Sequence, residues 1–179
     1  MPIIAKDEKT FETPKPGLHQ AVCSIVEDVG YQEREFNGHV DYARQVIMLW
    51  ELKSESTRGS RFQVSRFYTL SLNEKANLRK DLEAWLGRSL TSDEIDKGFD
   101  VAGLRGKNCM LNIKVEEKNG KLRAGIAGIS PLMDGMAEIK SLIEFTPEWI
   151  EKIKARGLDK KPEAAPQSKH EAGEDGLPF

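Results

Sequence analysis

The sequence predicts a mainly β fold, with one main helix set between the third and fourth of five strands. Three observations carry this expectation. Phe62, Val64, Tyr68 and Leu70 alternate with Arg61, Gln63, Ser65, Phe67 and Thr69, the period-two pattern of a strand with two unlike faces. The period then changes: Leu78, Leu82 and Trp85 fall on one side of a helix, which Gly87 can end in the left-handed region. Two Asn-Gly pairs, Asn37-Gly38 and Asn119-Gly120, separate alternating segments; both residue types tolerate the positive φ of a tight hairpin turn.

Taken in order, 1–16 is polar and broken by Pro2, Pro14 and Pro16, which predicts an extended arm, ordered only where it lies across the domain. The first strand is expected over 17–28, with apolar residues on both faces, and 30–38 leads through the Asn-Gly turn to a second strand over 40–52. There Val40, Tyr42, Val46, Met48, Trp50 and Leu52 share the expected core face with Arg44, while Asp41, Gln45 and Glu51 lie on the other. After the polar loop 53–60 comes the third strand. Ser71-Leu72-Asn73-Glu74 has the S-x-x-E form of a capping box, so the main helix is expected to begin there. Thr91 can cap a short second helix ending near Gly98. The fourth strand, 107–116, points Cys109, Leu111, Ile113 and Val115 inward, and the fifth runs over 121–129. Thr146-Pro147-Glu148 reads as cap, first helical position and acidic first turn, predicting a helix over 147–156 closed by Gly157. Segment 136–145 can add another helical turn or two. Five strands in this order match a five-stranded OB-fold (oligonucleotide-binding) barrel, a partly open Greek-key form.

Bulk properties narrow the class. At 179 residues, 39% hydrophobic and 31% charged, the chain fits one globular core with appendages. No apolar run approaches the roughly 20 residues that span a bilayer, and the N-terminal stretch lacks the pattern of a signal peptide, so no membrane contact and a cytoplasmic location are expected. Cys23 and Cys109 sit in strand alternation without metal or redox spacing, which predicts buried thiols. The net charge is −2. From Asp159 onward, Lys160, Lys161 and Lys169 face Asp159, Glu163, Glu171, Glu174 and Asp175; this tail accounts for the whole excess and leaves a balanced body that can carry a basic face. The stretch 159–179 lacks the apolar surface to offset its ordering entropy and is expected to be disordered.

Ser65-Arg66-Phe67-Tyr68-Thr69, followed by Asn73-Glu74-Lys75-Ala76-Asn77-Leu78-Arg79-Lys80-Asp81-Leu82, resembles a family of small bacteriophage single-stranded DNA-binding proteins, over about 16–129. The resemblance implies an OB-fold DNA-binding domain over 17–130; the residues that follow read by themselves as a C-terminal helical segment over 131–158. It implies a non-enzymatic protein that coats and protects single-stranded DNA in phage DNA replication and recombination, inside the infected bacterial host cell. Separately, Glu174-Asp175-Gly176-Leu177-Pro178-Phe179 is similar to the acidic tip of bacterial single-stranded DNA-binding proteins, which ends in Ile-Pro-Phe; Leu177 replaces the Ile and Gly176 dilutes the acidic run. Glu174, Asp175, Leu177, Pro178 and Phe179 are accordingly expected to recruit replication or recombination proteins. A terminal ring and carboxylate on one residue suit a pocket with a basic rim.

Sequence-tolerant binding of a single strand needs cations for phosphates and aromatic faces for bases. Arg44, Arg61, Arg66, Phe67, Tyr68, Lys107, Lys121 and Arg123 are the candidates, on strands or at their ends. Phe67, between Ser65 and Thr69, is the better stacking candidate; Tyr42, Trp50, Phe62 and Tyr68 equally suit the barrel core. Arg44 and Arg66 lie in apolar registers, where they can reach a groove edge or pair with carboxylates. Gly103-Leu104-Arg105-Gly106-Lys107 lacks phosphate-loop spacing. His19, His39 and His170 lack ligand spacing, so no metal, cofactor or catalytic group is expected. A protein–protein interaction adaptor, with DNA binding incidental, is the alternative; a structure-specific nuclease is a weaker third. Oligomeric state is open at this level.

Overall fold

The structure, a computed structural model, describes residues 11–163. The tip residues Glu174, Asp175, Leu177, Pro178 and Phe179, and the disorder expected around them, lie outside that range. Strands β1 (Gly17–Phe36), β2 (His39–Glu55), β3 (Arg61–Thr69), β4 (Asn108–Lys118) and β5 (Lys121–Ser130) form one antiparallel sheet in the order β3-β2-β1-β4-β5. The edge strands β3 and β5 come into contact without sharing a hydrogen-bonded ladder, so the sheet is barrel-like but not closed. Helix α1 (Asn77–Leu86) packs on both edges; α2 (Ser92–Lys97) and a 3-10 turn at Val101–Leu104 follow before β4, and α3 (Glu148–Arg156) comes last. The mainly β architecture is as predicted, with the main helix between the third and fourth strands.

Several local expectations change, among them the start of α3, where Pro147 and not Thr146 occupies the cap position. β1 continues beyond residue 28 to Phe36, because Gly30 at φ 72° absorbs a register shift between Asp28 and Tyr31 and lets pairing with β2 resume up to the Asn37-Gly38 turn. α1 starts at Asn77, not near Ser71: the Ser71 hydroxyl accepts from the Asn73 N–H and the Asn73 amide oxygen from the Lys75 N–H, making local turns that compete with a capping box. The Thr91 capping box does form, with Glu94.

A further change concerns 136–145, which contains no helix. Its backbone is instead held by polar side chains of the sheet. Asn108 donates to the Ile139 carbonyl (2.9 Å) and accepts from its N–H (3.0 Å), and Gln20 donates to the Ala137 carbonyl (2.7 Å). Glu51, only 2% exposed, accepts from the hydroxyls of Ser24 and Ser141 (both 2.7 Å) and from the N–H groups of Leu142 and Ile143. Burial alone would raise the Glu51 carboxyl, but these four donors hold it below its ordinary value. Satisfying backbone groups from outside removes the need for a helix.

The sheet therefore has a core on each face. Inside, Trp50 and Trp85 sit with ring centroids 6.0 Å apart among Val46, Met48, Leu52, Leu82 and Leu111. The free thiols of Cys23 and Cys109 are buried there, and burial pushes the Cys23 thiol up to about 12. Val40 and Tyr42, assigned to the core by pattern, lie beyond it: Val40 is exposed, and the Tyr42 hydroxyl donates to Glu33. Outside, Ile25, Val29, Ile47 and Leu49 are covered by Ile143, Ile150 and Ile153. Leu158 then pairs with Tyr31, fixing the end of this C-terminal strap to β1.

Candidate nucleic-acid interface

The expected DNA-binding residues do not form one cluster. Arg44 donates from Nε to Asp28 at 2.9 Å, with its Nη2 also on the same carboxylate oxygen. Burial alone would raise Asp28, but Arg44, the Gly30 N–H and nearby Lys154 together hold it low. Arg66 pairs with Asp81 at 3.1 Å, its guanidinium 5.4 Å from the centre of the Tyr68 ring. Tyr68 is 3% exposed and donates its hydroxyl to Asp81 at 2.6 Å; burial first, then that carboxylate, push its phenol up. The ring belongs to the core and offers no free face for a base. Phe67 is 43% exposed on the outer face of β3, opposite Ile47. Lys107 borders a separate cleft with Trp85, Phe99 and Leu104, and Lys121 stands at the β4–β5 turn.

Arg61 and Arg123 do come together. They line a groove of about 940 Å³ where the N-terminal arm, the β2–β3 loop and the start of β5 converge. Arg61 donates to the Lys140 carbonyl at 2.7 Å and lies 3.7 Å from Glu51, so its charge is partly taken up. Arg123 is exposed and has no ion-pair partner among the described residues. Three further residues missed by the sequence reading face the same space: Phe11, Arg58 and Leu122. Phe62, for which the sequence favours the core over base stacking, has one side on the inner core and also lines this groove. No family model matches the chain, and no curated protein matches it in sequence.

The arm is held in place by its own carboxylate. Glu12 accepts from the Thr57 N–H (3.0 Å) and hydroxyl (2.8 Å), and Pro14 is buried. The groove thus combines three guanidinium groups with two phenyl rings and an exposed leucine. Such a surface can neutralise phosphates while offering apolar faces to unstacked bases. Among the described residues, no three His, Cys, Asp or Glu side chains are grouped to hold a metal ion, and no helix is long and apolar enough to cross a membrane.

Proposed function

We propose that this protein is a non-enzymatic, phage-type single-stranded DNA-binding protein with an OB-fold barrel, acting on replication or recombination intermediates. The observation that carries the reading is the groove in which Arg58, Arg61 and Arg123 meet Phe11, Phe62 and Leu122. The strand order β3-β2-β1-β4-β5, with β3 and β5 drawn together, supports the OB assignment because it is the order such a barrel has before its last pair joins. In this reading the tip, Glu174 to Phe179, recruits replication proteins. Its carboxylates also compete with DNA for the groove.

The test is fluorescence anisotropy of a labelled oligo-thymidine strand against the full-length protein across a salt series. Binding should be salt-sensitive, and Arg123→Ala should weaken it and reduce the slope of log K against log salt by about one, as expected for one lost phosphate contact. No binding by the intact protein at low salt sinks the proposal. A protein adaptor is then the reading to pursue, because Met133, Leu142, Phe145 and Trp149 are exposed along the C-terminal strap.

A further inference from the structure

The groove's acidic member is the feature that basic-groove chemistry leaves unexplained. Glu12 places a carboxylate beside Arg58, Arg61 and Arg123, where it repels the phosphates that those groups attract. Both of its oxygens are engaged by Thr57, so the carboxylate acts as a clasp rather than as a partner for the arginines. What the clasp positions is Phe11. That ring is 85% exposed, although the adjacent chain is fixed by the clasp, by buried Pro14 and by His19 Nε2 at 2.6 Å from the Lys15 carbonyl. Fixing a backbone costs conformational entropy, yet here it presents an apolar ring to solvent.

We propose that Phe11 is a base-stacking residue of the groove and that the Glu12–Thr57 clasp holds it in position. The inference rests on the single-stranded DNA reading given above. The aromatic residues of β3 are less suited: Phe62 is committed on one side to the core, Tyr68 is buried, and Phe67 lies on the outer face of the strand. Phe11 has a free face within the same groove as three guanidinium groups. A base stacked on it can leave the flanking phosphates to the arginines, a combination that tolerates any base because every base has a π-face.

The experiment measures oligo-thymidine affinity of the full chain and four variants over a salt series. Phe11→Ala should weaken binding about ten-fold, the scale of one lost stacking contact, with the salt slope unchanged; Phe11→Trp should restore it. Glu12→Ala gives opposite signs for the two accounts. Removing a bystander carboxylate tightens binding to a polyanion, whereas removing a clasp weakens it. Arg123→Ala is the control, expected to lower the salt slope. If Arg123→Ala weakens binding while Phe11→Ala stays within two-fold of the parent, or Glu12→Ala tightens it, the Phe11 assignment is overturned and the DNA reading stands. If the parent chain does not bind, both are overturned.

Discussion

Glu51 shows how much of this structure depends on a single side chain meeting distant residues. Its oxygens accept from β1 through Ser24 and from the strap through Ser141, Leu142 and Ile143. The sequence places it correctly on the face opposite Trp50, but the alternating pattern favours the Trp50 face as the core and gives no sign of what covers the other. The covering residues lie some 90 positions further along, beyond the reach of any local period. Because its carboxyl is held below the ordinary 4.5, its contribution is fully present above that pH and is lost as pH falls through the lower folded value. Glu51→Gln should therefore lower stability at pH 7 by about 1–3 kcal/mol, the cost of leaving buried donors badly matched. It should also make the fall in melting temperature below pH 4.5 less steep than in the parent. An unchanged acid limb would mean that other carboxylates, not Glu51, control it. Tyr68 and Arg66 carry the same lesson: their register was readable, but the Asp81 partner that commits both to structure was not.

At the level of elements, alternation and turn chemistry located all five strands and both hairpin turns, because those signals are local. Gly157 was legible as the end of α3, but for a different reason than the usual one. Its φ of −70° is open to any residue; the constraint is space. A Cβ there would lie 2.0 Å from the Val29 carbonyl oxygen and 2.7 Å from Gln32 Nε2, where the strap passes β1. Gly157→Ala should cost at least about 1–3 kcal/mol, the range for overpacking, with the strap displaced from β1. Gly128→Ala, where a Cβ meets nothing within 4 Å, should change stability by no more than about 0.5 kcal/mol. Equal urea midpoints for the two variants would contradict the close approach.

Across the whole molecule, the succession of five strands and the main helix was readable but the groove was not. Its walls come from residues 11–14, from the stretch between 56 and 63, and from residues 122–124, three stretches that only the folded sheet brings together. Charge gives a prediction at this scale. Between 164 and 179 the chain carries Lys169 against Glu171, Glu174 and Asp175; a chain ending at Glu163 should bind oligo-thymidine more tightly than the full chain, mainly at low salt where screening is weak. Equal affinities in titrations at low and high salt would reject tail competition. The strap also sets an order of events during synthesis. Ile25, Val29, Ile47 and Leu49 leave the ribosome about a hundred residues before the Ile150 and Ile153 that cover them, which at typical elongation rates is about 5–20 s. Throughout that interval the nascent sheet has an uncovered apolar back, so each growing chain depends on its own α3 arriving before a neighbouring chain does.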